Sequence, residues 1–256
     1  MKPVAIRRVY PLLIILFLAL SLAGCATTST LPQEIPAMHS VKEIEDEYVV
    51  KEPDTWVGFN RSMYKFNYNL DKYFLLPIVN GYEFITPTVV QTGVSNFFDN
   101  ITEVRNLTNS VFQLKGKQSL TTLGRFVTNS TIGIAGIFDP ATSFGMQRQN
   151  EDFGQTLGYW GVGTGNYVVL PLFGPSNVRD TGGIVVDGAI RAGIASALDV
   201  TNDMNHPDGI KAAVTFVEAI DKRHKEKFRY YGTHHPFEYD LVRWLAGKKR
   251  ELDVMK

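Results

Sequence analysis

Ser176 stands in the stretch Gly174-Pro175-Ser176-Asn177-Val178, which has part of the outline of a nucleophile elbow. That elbow needs glycine on both sides of the serine, as G-x-S-x-G, because the strained strand-to-helix turn admits little bulk. Val178 occupies the last position. The simpler role for Ser176 or Asn177 is therefore a helix cap, with Asp180 favourable in the first turn that follows. His234 and His235 precede Pro236, and no H-E-x-x-H or E-x-x-H pattern accompanies them. The acidic pair Glu151-Asp152 has no electrophilic partner nearby in sequence. These residues call for no enzyme, no metal and no cofactor.

Cys25 is the only cysteine, so a disulfide within one chain is impossible. Lys2, Arg7 and Arg8 lead into VYPLLIILFLALSL, a basic start and an apolar run too short and one-sided for a membrane span. The run ends in Leu22-Ala23-Gly24-Cys25, which resembles the bacterial lipobox, where cleavage precedes the cysteine and the thiol is acylated. Each buried acyl methylene is worth about 0.8 kcal/mol, so a multiply acylated Cys25 is a stable anchor. The expected organisation is a signal segment over 1–24, a lipidated tether over 25–52 and a folded domain over 53–256. Ala26 follows the cysteine where aspartate would resemble the inner-membrane retention signal, which points to the outer membrane, periplasmic side. As a coil the tether reaches about 30 Å root-mean-square.

The folded part must then present something to a nearby bilayer. Trp56, Phe59, Met63, Phe66, Leu70 and Tyr73 recur at intervals of three and four, predicting an amphipathic helix from Asp54 that Pro77 stops. Its aromatic stripe is expected to face a core rather than lipid. Thr86-Pro87 opens a helix carrying Val90, Val94, Phe97 and Ile101, and shorter ones fit Val104 to Leu114 and Leu120 to Val127.

IGIAGIF at 132–138 is apolar but broken by Gly133 and Gly136, and Gly154 to Gly174 carries six glycines including its ends. Neither can cross a bilayer, which takes about 20 residues as a helix. YVVLPLF at 167–173 reads as an apolar loop bent at Pro171, since proline is excluded from most central-strand positions. The helix expected from Val178 to Leu198 is long enough to span but contains Asp180, Asp187 and Arg191, which are costly at mid-membrane. Asp187 and Arg191 are placed as an i,i+4 pair facing water or a polar lumen.

A helix carrying Ile210, Val214, Val217 and Ile220 follows, then a short one with Phe237, Leu241, Trp244 and Leu245. Residues 222–250 hold nine Lys or Arg against three acids among several aromatics, which suits either anionic head groups or an ordinary solvated face. Net charge is zero over 256 residues, and no zinc, helix-turn-helix or RNA-binding signature is present, so nucleic acid is not an expected partner.

Four blocks taken together resemble the MlaA (VacJ) family of outer-membrane lipoproteins. They are GFNRSMYKFNYNLDKYFLLPI at 58–78, GVSNFFDNI at 93–101, GRFVTNSTIGIAGIFDPA at 124–141 and EDFGQTLGYWGVGTGNYVVLPLFGPSNVRDTGG at 151–183. Asn166 and Val104 stand where that pattern would have proline. The resemblance implies an all-α, single ring-like helical domain embedded in the periplasmic leaflet of the outer membrane beside a trimeric porin. It implies removal of phospholipid misplaced in the outer leaflet, through an amphipathic channel, to a periplasmic lipid-binding carrier. The channel or gating candidates are Phe126, Ile134, Ile137, Phe138, Leu170, Leu172, Phe173 and Gly174. Two other classes stay open: a structural adaptor for porins, and a serine lipid hydrolase using Ser176.

Overall fold

Residues 54–198 and 207–256 are described by the structure, a computed structural model, with side chains described for 54–194 and 209–256. Cys25, the segment 1–24 and the tether 25–52 lie outside the described residues. Helix α1 runs Val57–Leu70, passes through a π-helical turn at Asp71–Leu75 and continues as α2, Leu76–Ile85. Pro77, expected to stop the helix, sits instead in the first turn of α2. The wider turn before it has already interrupted the i to i−4 ladder, so the missing N–H and the ring are tolerated there.

Helix α3, Thr88–Phe112, is one element of 25 residues where two were expected. Thr102 and Glu103 read as a polar break in sequence, yet both are engaged in place. Thr102 bonds back to the carbonyl of Phe98 at 2.9 Å, and Glu103 receives Arg125 at 2.8 Å. Helix α4, Gly116–Thr131, packs along α3. Two short helices follow, α5 at Pro140–Ser143 and α6 at Phe153–Tyr159, capped by Asp139 and Asp152 through the amides of Thr142 and Gln155.

An antiparallel hairpin, β1 Tyr167–Leu170 and β2 Gly174–Asn177, leads into α7, Val178–Leu198. The expectation of a proline-bent loop is thus corrected: Pro171 lies just past the end of β1, in the turn, where no ladder bond is asked of it. Asn177 caps α7 as expected, accepting the amide of Asp180 at 2.8 Å. Asp187 and Arg191 do not pair with each other. Asp187 accepts from Asn109 at 2.9 Å and from the amide of Phe153 at 3.0 Å, while Arg191 grips Glu218. Helices α8, Pro207–Lys225, and α9, Glu238–Met255, complete the described chain.

Burial runs opposite to the usual order. Among the described residues, 24 polar or charged side chains are buried against ten apolar or aromatic ones, whereas 38 large apolar side chains are exposed. Exposed apolar residues are unremarkable singly, but buried polar residues are the informative class. On α1 the buried positions are Asn60, Tyr64, Asn67 and Tyr68, and Trp56, Phe59 and Phe66 face outward. The spacing predicts the amphipathic helix, but the expected core-facing direction is corrected: the aromatic stripe is the outer face. Even the apolar cluster is made largely of tyrosines, Tyr64, Tyr68, Tyr167, Tyr231 and Tyr239 around Val169. Tyr64 donates to Glu238 at 2.8 Å, and Tyr239 donates to Asp54. Burial, reinforced by those bonds, pushes both hydroxyls far above the usual phenol range.

Most of the basic excess in 222–250 is neutralised inside the fold. Arg223 pairs with Asp71, Lys225 with Asp99 and Asp221 at 2.8 Å each, and Arg243 with Asp54 at 3.4 Å. Arg250 forks onto Asp152 at 2.7 and 2.9 Å and also donates to Asp180 at 2.7 Å. These pairs tie α8 and α9 to the helices before them.

Candidate functional site

Two short apolar loops break the helical framework, and each is held from behind by asparagine. The first is the hairpin tip. Asn60 accepts the amide of Val169 at 2.8 Å and donates to the carbonyl of Tyr167 at 3.1 Å. Asn67 accepts the amide of Leu172 and donates to the carbonyl of Leu170, both at 2.9 Å. The two side-chain amides therefore serve the free edge of β1 as a second strand would. Their spacing explains the fit. Seven residues of helix advance about 10 Å, and three residues of extended chain cover the same distance. An edge that would otherwise invite another strand is closed.

With its backbone satisfied, the tip projects outward. Leu172 and Phe173 are 66% and 68% exposed, and Leu170 is half-buried. Leu172 has φ 69°, a left-handed conformation that costs a non-glycine residue about 1–2 kcal/mol. Gly174 is buried with φ 78°, and a Cβ there would lie 3.1 Å from the hydroxyl of Tyr230. Burial, with the nearby charge of Asp71, pushes that hydroxyl up to about 12, so Tyr230 stays neutral.

The second loop is the turn after α4. Ile132, Ile134, Ile137 and Phe138 are exposed, while Ile134 and Ala135 are left-handed at φ 53° and 55°. Gly136, at φ 92°, lies where a Cβ would strike the side chain of Asn100 at 2.5 Å, so the close approach to α3 admits only glycine. Asn96 donates to the carbonyl of Ile137 at 3.1 Å, and the amide of Gly136 reaches the carbonyl of Asn129 at 2.8 Å. Phe126, one turn earlier on α4, is half-buried.

The exit of this loop is fixed by charge. Arg125, 3% exposed, bonds Glu103 at 2.8 Å, Asp139 at 3.1 Å, Thr142 at 2.9 Å and the carbonyl of Met146. Burial pushes the Asp139 carboxyl up, but its bonds from Thr142, Asn129 and Arg125 together outweigh that and hold it at about 2.

Of the eight sequence candidates, Leu170, Leu172, Phe173 and Gly174 belong to the hairpin, and Ile134, Ile137 and Phe138 to the turn. The hairpin is anchored on α1 and the turn on α3, so the two groups rest on different helices. The asparagines that hold them, Asn60, Asn67 and Asn96, were missed. The available signal was the seven-residue interval of Asn60 and Asn67 on the side of α1 away from the aromatic stripe.

Ser176, Glu151 and His235 are engaged in structural hydrogen bonds. Ser176 lies in β2 opposite Val168, with its hydroxyl 3.4 Å from the Asn177 carbonyl and 3.3 Å from the Thr181 hydroxyl. Glu151 is fully buried and receives Gln113 at 2.9 Å and Lys115 at 3.3 Å. His235 accepts the amide of Phe237 at 3.2 Å in a local turn. Among the described residues, no group of His, Cys, Asp and Glu is arranged to hold a metal ion, and no helix is long and apolar enough to cross a membrane.

The family model described as MlaA lipoprotein matches residues 52–252. The intermembrane phospholipid transport system lipoprotein MlaA of Escherichia coli K12 is 37% identical over 139 residues, 53% of this chain and 55% of that protein. The protein of the same name from Haemophilus influenzae is 31% identical over 174 residues, 67% and 64% of the two chains. An uncharacterized protein of Rickettsia typhi is 36% identical over 138 residues, 54% and 55% of the two. The chain spans about half the length of the curated relatives it matches. A solved structure, described as the structural basis for maintenance of bacterial outer membrane lipid asymmetry, superposes with a TM-score of 0.60. It is 28% identical, and the match covers 79% of this chain and 100% of that one.

Proposed function

Since this chain belongs to the MlaA lipoprotein family, we propose that it is an outer-membrane lipoprotein that takes phospholipid misplaced in the outer leaflet and passes it toward the periplasm. The observation that carries this reading is the inverted burial. Apolar side chains point away from the body on helices whose inner faces hold Asn, Glu, Asp and Arg. Each such side chain left against water forgoes about 1.5–3 kcal/mol, which a lipid environment restores. With no spanning helix among the described residues, the outer face fits one leaflet rather than a full crossing.

Moving a phospholipid requires an apolar wall for the acyl chains and a polar route for the head group, without bond making or breaking. The exposed loop residues Leu172, Phe173, Ile134, Ile137 and Phe138 are suited to the first need. Tethered by an acylated Cys25 on the periplasmic side, the protein would hand its lipid to a periplasmic carrier, working beside a trimeric porin that gives access to the outer leaflet. The E. coli relative bears the name of an intermembrane phospholipid transport system, which supports the reading.

Mass spectrometry of lipid co-purifying with the full chain tests it. Phospholipid should be retained by the wild-type protein and lost or redistributed when Gly174 is replaced by Val, which the φ of 78° and the Tyr230 hydroxyl both oppose. Protein free of phospholipid in both forms would count against it.

A further inference from the structure

Lys72 is a cation whose side-chain contacts among the described residues are aromatic, Tyr68 and Tyr73. It follows Asp71 in the π-helical turn, and Asp71 is already engaged by Arg223. The Lys72 ammonium donates to the Tyr68 hydroxyl at 3.0 Å and lies 5.3 Å from the ring centres of both Tyr68 and Tyr73. No carboxylate stands within ion-pair distance of it among the described residues. Around it the outer face is aromatic: Phe66 is 45% exposed, Tyr73 69% and Phe74 53%.

Three facts about such an arrangement combine. An ammonium over neutral rings keeps its full charge, because the ring quadrupole attracts it without neutralising it. A lysine on an apolar surface lays its stem along that surface and puts its head at the polar boundary. Tyrosines collect at the same boundary, with rings in the apolar layer and hydroxyls in the wet one. The ammonium has three N–H donors; the Tyr68 hydroxyl takes one and the Tyr73 hydroxyl engages another. The charge and the remaining donor can serve an anion, and the anion found at the boundary depth of a bilayer is phosphate.

We propose that Lys72, flanked by Tyr68 and Tyr73, is a head-group site that holds the phosphodiester of a phospholipid in the leaflet where the outer face of α1 lies. The proposal rests on the reading that this face is lipid-embedded. Asp71 continues the buried face of α1 and meets Arg223, so the charge of the next residue, Lys72, remains available to a ligand.

The test is native mass spectrometry of the full chain recovered from nanodiscs of phosphatidylethanolamine and phosphatidylglycerol, comparing wild type with Lys72→Arg and Lys72→Gln. Retained phospholipid should fall about fivefold in Lys72→Gln, as expected for one cation at the surface, and stay near wild type in Lys72→Arg. Added inorganic phosphate should leave the retained lipid unchanged, and displacement by it would overturn the lipid assignment in favour of a simple anion site. Equal retention in all three proteins, each still associated with the nanodisc, would overturn the Lys72 site while leaving the embedded face standing. Failure of every variant to associate with nanodiscs would overturn both.

Discussion

Asn67 and Leu172 are 105 residues apart in sequence and joined through a 2.9 Å bond from the Leu172 amide to the Asn67 side-chain oxygen. The same side chain donates to the Leu170 carbonyl, so one asparagine on α1 fixes the end of β1 and the middle of the turn. Asn67→Ala strands a donor and an acceptor that are partly buried, at a cost of about 1–3 kcal/mol. Amide hydrogen exchange at Leu172 should accelerate by about tenfold or more, with helix α3 unchanged. Unaltered exchange at the tip would mean that the asparagine does not hold it.

Arg125 is the cation between Glu103 and Asp139. Arg125→Met leaves a fully buried carboxylate without its partner and should destabilise the fold by about 3–5 kcal/mol. Adding Glu103→Gln should recover part of that loss. The comparison is read from denaturant unfolding of the detergent-solubilised protein. A double variant as unstable as the single one would place the cost elsewhere.

Acid should weaken the fold in a defined window. Asp139 and Glu218 are held at about 2, below their ordinary values of 3.8 and 4.5. In Glu218 burial acts upward, and the bonds from Arg191 and Lys222 overcome it. Because the folded values are the lower ones, the unfolded chain takes up protons first as pH falls. The stabilisation, about 2 kcal/mol for Asp139 and about 3 kcal/mol for Glu218, is intact above about pH 5 and lost progressively toward pH 2. Thermal unfolding followed by circular dichroism should give a flat Tm above that window and a falling one within it. Asp139→Asn should flatten part of the fall.

Ser176→Ala should leave lipid handling at the wild-type level, since the hydroxyl serves only the turn from β2 into α7. Loss of transport in this variant, with hairpin exchange unchanged, would revive the hydrolase reading.

How far the sequence carried the fold can be seen on α1. The spacing of Trp56, Phe59, Phe66 and Tyr73 established an amphipathic helix, but periodicity is the same whether the apolar side meets a protein core or lipid. Direction is settled by what the opposite side holds, and Asn60, Asn67 and Asp71 are buried there. The hairpin was not legible because its edge is satisfied by side chains more than 100 residues away, and no local rule about Pro171 could anticipate that. By contrast the Asn177 cap was legible, since its partner Asp180 is three residues on. Of the eight channel or gating candidates, seven lie on the hairpin or in the turn after α4 and Phe126 lies on α4 itself. The asparagines beneath them belong to tertiary structure and were not seen.

The central claim, that this lipoprotein clears phospholipid from the outer leaflet, is tested most directly by measuring surface-exposed phospholipid in cells lacking the gene. The account predicts a rise in outer-leaflet phospholipid with increased detergent sensitivity, reversed by the wild-type chain and not by a Cys25→Ala form. An outer leaflet of unchanged composition in the deletion would contradict it.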